Sequence, residues 1–480
     1  MSKKTEIVKS IALTVLVAMS IVLFANSWVR EWSHSDSKNN ITLGRFFAWS
    51  GIEKWFGYKG EVLPGTDIIA PSSVIFTSGA KRIVLNKGTD MYSKTYEDIL
   101  SILLYADGFA DSASEINSEE WYYVQRNKAI YLDYGVAFKR EILETGIGYS
   151  LPSEIYSVDS VVLTSNDSAT NKLVIYFHDP VESKYYKVLT DKSASAVAGI
   201  LSSMKGYKNI PLAEELGFNT APQEGYGQQL AINGNNVIDL ETAGEKLPVY
   251  VKIKNGASAL DNRKRSSLLA LFGMSESSAK QYADVDVSMY IDVNGTLSFY
   301  EKESGTVMEY TAASNQKGIS LDSGDFPGDI FYSMARGAYS CVYSVKDLFG
   351  ISGLSLRFAS DITRTGEEGF TDIYIDYCFN GLPVCFEDQG KAQHGAWLRF
   401  NSKGNLVYLK QTLYDVEDSG IKAEYLPVMT AIDSIYSHWG TESTAMYIRY
   451  INKGYRIEEN SVRPVWCIRL KEDGNVYMVN

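Results

Sequence analysis

Histidine and cysteine are scarce in this chain, and their spacing excludes several chemistries. There are four cysteines in 480 residues: Cys341, Cys378, Cys385 and Cys467. None forms a CxxC, so a zinc knuckle or a thioredoxin-type redox centre has no support. Four is too few for a disulfide scaffold in a chain of this size. The four histidines, His34, His178, His394 and His438, show no paired spacing. The sequence has no HExxH, GxSxG, Walker A loop or GxGxxG, so no metalloprotease, serine hydrolase or nucleotide-binding motif is present. No residue is assigned a catalytic, cofactor-binding or metal-binding role. A basic excess is missing too. The net charge is −12, which argues against nucleic acid and against broad adsorption to anionic lipid.

Charge is also absent locally. The tip Met1–Lys9 carries three lysines and one glutamate, and from Ser10 to Trp28 (SIALTVLVAMSIVLFANSW) no residue is charged. At about 1.5 Å per residue this run spans roughly 28 Å as a helix, close to the hydrocarbon thickness of a bilayer. Trp28 and Trp32 follow where an interfacial aromatic belt would sit. Lysines before the span and Arg30 alone just after it place the N-terminus on the cytoplasmic side and the bulk outside. A cleaved signal peptide is the competing reading, with Ala25-Asn26-Ser27 as a cleavage site, but the apolar run is longer than the usual h-region. On a helical wheel Ser10, Thr14, Ala18 and Ala25 fall on one stripe of small residues, which permits close approach of a partner helix in lipid.

The rest reads as α+β, with antiparallel sheets and helices on the outer face of the membrane. The expected organisation is a tip (1–9), a transmembrane helix (10–28), a juxtamembrane linker (29–62), an N-terminal α+β domain (63–245), a central α+β domain (246–385) and a C-terminal α+β domain (386–480). Residues 96–105 read as an amphipathic helix, and 194–204 and 266–272 read as helices. YYVQRNKAIYLDYG reads as strand, and VVLTSNDSATNKLVIYFHDP as a hairpin. Asn294-Gly295 between alternating runs is a strong hairpin signal. In the C-terminal third a unit of helix followed by antiparallel strands occurs twice, beginning near Ser333–Phe349 and Pro427–Trp439.

Several conspicuous residues read as ordinary structure. His178-Asp179-Pro180 reads as a turn closing a strand, and His438 as a helix-end residue. Glu119-Glu120 and Glu367-Glu368 read as solvated loops. Arg263-Lys264-Arg265 reads as a solvated loop before a helix, with docking of an acidic partner as the alternative. The 33 tyrosines read chiefly as half-buried sheet. An Asn380-Gly381 turn would set Cys378 and Cys385 diagonally as free thiols, and a Gly381-Leu382 turn would set them opposite. Asn-Gly is the stronger turn signal.

The opening EIVKSIALTVLVAMSIVLFANSW resembles the N-terminal anchor of the YycH family. LLALFGMSESSAKQYADVDVSMYIDVNGTLSFYEKESGTVMEY is similar to the family's "LF … DG … strand … EY" stretch, with Asn294-Gly295 in place of Asp-Gly. FTDIYIDYCFNGLPVCFED followed by GNLVYLKQTLYDVED resembles its strand, G-x-P-V-x-F, hairpin core, and NKGYRIEENSVRPVWCIRLKEDGNVYMVN is similar to the last strands of the related YycI family. The resemblance implies a non-catalytic accessory membrane protein of the WalK/WalR two-component system. Such a protein acts with a YycI-type partner on a WalK-type sensor histidine kinase, through its transmembrane helix among other contacts, and affects cell-wall homeostasis. It implies no cofactor. A membrane-tethered cell-wall glycan-binding protein or hydrolase is the alternative, which scattered carboxylates and tyrosines would serve.

Overall fold

The computed structural model describes residues 68–105, 113–165, 171–218, 230–238, 246–254, 261–284, 286–302, 305–321, 329–363, 365–366, 369–388, 391–439, 446–458, 461–470 and 476–479. The expected span 10–28 and its stripe Ser10, Thr14, Ala18 and Ala25 lie outside the described residues, as do the linker and Glu367-Glu368. Among the described residues no helix is long and apolar enough to cross a membrane.

The first sheet is wholly antiparallel. Its strands are β1 (Ser73–Ser78), β2 (Lys81–Asn86), β3 (Ser114–Ile116), β4 (Ala129–Lys139), β5 (Ser157–Ser165), β6 (Lys172–Asp179), β7 (Lys184–Ser193) and β8 (Lys208–Asn209), in the order β3-β7-β6-β5-β4-β1-β2-β8. The helices of this half are α1 (Asp90–Tyr105), α2 (Ser118–Arg126), α3 (Arg140–Ile147) and α4 (Ser195–Ser203). Helix α2 replaces part of an expected strand. Trp121, Tyr122, Tyr123 and Val124 have strand propensity, but Asn117 accepts a hydrogen bond from the Glu120 N–H at 2.8 Å and caps a helix. Glu119 and Glu120 therefore occupy a helix first turn rather than a loop, where they favour the positive end of its dipole.

The second sheet has fifteen strands. They are β9 (Leu230–Ile232), β10 (Lys246–Lys254), β11 (Lys280–Ala283), β12 (Val287–Ile291), β13 (Gly295–Lys302), β14 (Gly305–Ala312), β15 (Ser355–Phe358), β16 (Thr371–Phe379), β17 (Leu382–Asp388), β18 (Lys391–Gln393), β19 (Ala396–Phe400), β20 (Leu406–Glu424), β21 (Met446–Ile457), β22 (Ser461–Leu470) and β23 (Val476–Val479). Its helices are α5 (Asn262–Leu271), α6 (Ile330–Leu348) and α7 (Val428–Trp439). Arg263-Lys264-Arg265 lies inside α5, because Asp261 caps it by accepting from the Lys264 N–H at 2.8 Å.

The path β10-β22-β21-β17-β16-β19-β20 returns to its start, because β10 pairs with both β22 and β20. Closure leaves those seven strands without a free edge. Residues from 246–385 and from 386–480 share this ring, and the expected boundary at 385/386 falls inside β17. The order helix then antiparallel strands occurs after α6 and again after α7.

The two sheets are packed into one body. One hydrophobic cluster runs from Ile68 and Phe76 through Phe138 to Phe358 and Leu413. The backbone adds direct bonds: Lys139 N–H to the Ile362 carbonyl at 2.9 Å, and Ile362 N–H to the Ala137 carbonyl at 2.8 Å. The β16–β17 turn also docks on the first sheet. Asn380 and Gly381 both have positive φ, 48° and 77°, as a tight Asn-Gly hairpin requires. A Cβ built on Gly381 would overlap the Lys87 carbonyl and lie 2.6 Å from Asn86 Cβ, so only glycine fits.

Candidate functional site: a charged cavity between the sheets

Strand alternation makes the cavity. Along β4, Ile130 and Leu132 enter the main core, so Tyr131 and Asp133 face the other way. Along β16, Ile373, Ile375 and Tyr377 are core and Asp376 faces away. These outward faces meet around a cavity of about 330 Å³. The second sheet adds Arg357 from β15, Cys385 from β17, Tyr450 and Lys453 from β21, and Cys467 and Arg469 from β22.

The lining is unlike the chain as a whole. It holds five cationic side chains against three aspartates, in a protein of net charge −12. Some of these charges are fully engaged. Arg82 is 1% exposed and donates to Glu215 at 2.7 and 3.0 Å and to the Ile210 carbonyl at 2.7 Å. Asp159 lies 2.8 Å from His178 Nδ1 and accepts from the Ser160 hydroxyl at 2.7 Å. Asp376 lies 2.8 Å from His394 Nδ1 and 3.5 Å from Arg357. Burial works to raise both carboxyls, but the facing histidines, helped by Arg449 at Asp159 and by Arg357 at Asp376, hold them below the usual range.

Other charges are only partly engaged. Asp133 accepts from the Gly135 N–H at 2.8 Å and from no other donor among the described residues. Burial pushes its carboxyl up to about 6, and Asp159 adds to the push while the Gly135 N–H and, more weakly, Arg357 and Arg449 oppose it. Arg469 makes no hydrogen bond and no ion pair among the described residues, and burial pulls its guanidinium below the ordinary value although Asp376 attracts it. The Nε of Arg357 is buried without a partner.

Neither His–Asp pair was visible in the sequence. The partners are 19 and 18 residues apart, and strand pairing alone brings them together. His178 is a strand residue of β6, stacked on Tyr185 at 4.7 Å, rather than part of a turn. Asp179 is the residue that organises the turn, accepting from the N–H groups of Val181 and Glu182 at 3.1 and 3.2 Å. His438 lies in the last turn of α7. The cysteines carry a further surprise. The Asn380-Gly381 turn sets Cys378 opposite Pro383 and leaves Cys385 diagonal to it, as the turn chemistry predicts. All four thiols are free and buried, but Cys385 meets Cys467, a residue far away in sequence. Among the described residues no group of three or more His, Cys, Asp or Glu is placed to hold a metal ion.

The crystal structure of YycH from Bacillus subtilis matches this architecture with a TM-score of 0.53 and 11% sequence identity. The match covers 87% of this chain and 98% of that one. This chain has the YycH fold. The likeness extends over both sheets of the α+β body, since only a small fraction of either chain is left out. No protein-family model matches the sequence, and no curated protein matches it. The fold match therefore rests on how the chain is arranged in space, at an identity too low to carry residue roles across.

Proposed function

We propose that the chain is a non-catalytic, membrane-anchored regulator. In this reading it binds a WalK-type sensor histidine kinase together with a YycI-type partner and so affects cell-wall homeostasis in a Gram-positive bacterium. The YycH fold over nearly the whole of both chains is the observation that carries it. The uncharged run from Ser10 to Trp28 supplies the anchor, with the N-terminus cytoplasmic and the bulk outside. The stripe Ser10, Thr14, Ala18 and Ala25 supplies a face for the kinase or partner helix. Regulation requires that this contact differ between two kinase conformations, since equal contact with both shifts nothing.

Crosslinking in intact membranes, with identification of the captured proteins, tests the partners. Thr14→Leu combined with Ala18→Leu should weaken co-purification of the kinase. Unchanged association would remove the helix-face model, and absence of the kinase among captured proteins would remove the function.

One observation favours the hydrolase alternative. Asp133 is held high and Asp159 is held low at one cavity, the divergence an acid–base pair needs. Two facts weigh against it. Asp159 is already committed to His178 and Ser160. The 330 Å³ space suits a small molecule rather than a wall polymer. Asp133→Asn that leaves wall-polymer turnover by the purified protein unchanged would close this reading.

A further inference from the structure

Two groups of opposite charge face the interlayer cavity with little to hold them. Asp133, on β4 of the first sheet, has one hydrogen bond, from the Gly135 N–H at 2.8 Å. Arg469, on β22 of the second sheet, has no hydrogen bond and no ion pair among the described residues. Arg357 stands near Arg469, and its Nε is buried and unpartnered while its other end reaches Asp376 at 3.5 Å. Asp376 is shared between His394 at 2.8 Å and Arg357 at 3.5 Å, and it attracts Arg469 without a hydrogen bond to it.

Unpaired charge in a confined space is costly, and folded proteins normally pair it or leave it to a ligand. Here the two sheets hold the carboxylate and the guanidiniums on separate walls. Each wall keeps the geometry of its own strands, so the charges do not collapse onto one another. A molecule that satisfies both walls needs a carboxylate for Arg469 and Arg357 and an ammonium for Asp133. Planar guanidinium forks match a carboxylate in two-point contact. Tyr131 and Tyr450 line the same space and offer ring surface to the body of such a molecule. A volume of 330 Å³ sits at the lower end of the roughly 300–1,000 Å³ range of small-molecule sites, which limits the guest to one or two amino-acid units.

We propose that this cavity is a binding site for a small zwitterion, an α-amino acid or dipeptide, with its carboxylate on Arg469 and Arg357 and its ammonium on Asp133. The site is independent of which membrane protein the chain contacts, so its failure would leave the regulatory reading standing, and the reverse holds as well. Ligand occupancy would tie the two sheets together across the cavity, because the carboxylate-binding groups and the ammonium-binding group belong to different sheets.

Isothermal titration of the full chain in detergent with alanyl-alanine tests this. The expected result is a saturable isotherm at neutral pH. Alanyl-alanine amide, which lacks the carboxylate, should bind at least about tenfold more weakly, as should alanyl-alanine to Arg469→Met. N-acetyl-alanyl-alanine, which lacks the ammonium, should bind weakly to the native protein and equally weakly to Asp133→Asn. Arg469→Lys, which keeps the charge and fits the same space, should retain part of the affinity if Arg469→Met is impaired in folding. No saturable binding of alanyl-alanine at millimolar concentration overturns the proposal. So does binding that is unchanged by amidation of the peptide.

Discussion

Cys385 Sγ lies 3.4 Å from Cys467 Sγ, although the two residues are 82 positions apart. Cys385 is on β17 and Cys467 on β22, two strands apart across β21 in the closed ring. They meet because Gly454 of β21 has no side chain there. A Cβ built on it would overlap the Cys467 sulfur. Strands two apart in a sheet lie roughly 9–10 Å apart, and a disulfide needs its Cα atoms within about 7 Å, so closing a bond would also require the backbone to move. Hydrogen bonding to Cys467 and burial push the Cys385 thiol up, which disfavours its thiolate.

Treatment of the folded full chain with diamide, which takes two electrons and two protons from a thiol pair, should therefore leave Cys385 and Cys467 as thiols. Non-reducing peptide mapping reads the outcome, and Cys378 should remain alkylatable after denaturation. A Cys385–Cys467 crosslink formed in the folded protein would show that the strands move far enough to bring the two backbones together. A Cys378–Cys385 product instead would contradict the diagonal placement set by the Asn380-Gly381 turn.

Stability should depend on pH with two opposite signs. Asp133 is raised to about 6 from an ordinary 3.8, so the folded state holds this proton more tightly than the unfolded chain. Its contribution is full below the ordinary value and is lost as pH rises through 6. Asp133→Asn keeps the acceptor for Gly135 and removes the titration. It should stabilise by roughly 1–3 kcal/mol near neutral pH, by less as pH falls below 6, and by nothing below the ordinary carboxylate value. Asp159 and Asp376 are held low, so what they contribute is present above the ordinary carboxylate range and disappears as pH falls below it. Thermal melts of the native protein and Asp133→Asn at several pH values check both signs. A shift of equal size at every pH would rule out the titration.

Gly381→Ala should destabilise by roughly 2–4 kcal/mol, since it adds both a strained positive φ and a clash with the first sheet. Gly369→Ala, with a φ of 77° and nothing within 4 Å of a built Cβ, should cost less. Urea titration of the pair separates backbone strain from the docking contact. Equal losses would mean that the turn does not press on Asn86 and Lys87.

Arg82→Lys should behave as a disruptive change. The arginine is 1% exposed and uses a two-point contact with Glu215 and a third bond to Ile210. Lysine brings the charge without the fork and leaves the Glu215 carboxylate half-paired. A loss of roughly 3–5 kcal/mol is expected on removing one partner of a buried pair, with Arg82→Met at the upper end. A lysine variant as stable as the native protein would show that charge alone suffices.

Much of the local structure was legible in the sequence. Helices α1, α4, α6 and α7 follow from apolar periodicity, and the hairpins at Asn294-Gly295 and Asn380-Gly381 follow from turn chemistry that acts over a few residues. The failures were also local in cause. Tyr122–Arg126 looked like strand because its aromatics fit one, and a single capping bond from Asn117 decided for helix. The basic triplet lies inside α5 rather than before it, because the Asp261 side chain caps the helix just ahead of Asn262.

The sequence by itself determined which segments pair with their neighbours, since a turn and an alternating pattern are read within a dozen residues. It also determined the charge and the long uncharged N-terminal run. Only the tertiary structure decided that β10 closes a ring with β20 and β22, that His178 and His394 each face an aspartate, that Cys385 meets Cys467, and that Asp133 and Arg469 face one cavity from different sheets. The reason is physical. Each of these depends on strand order and register between distant segments, which are set by burying one shared core, and no single segment carries the information about where its partner will lie.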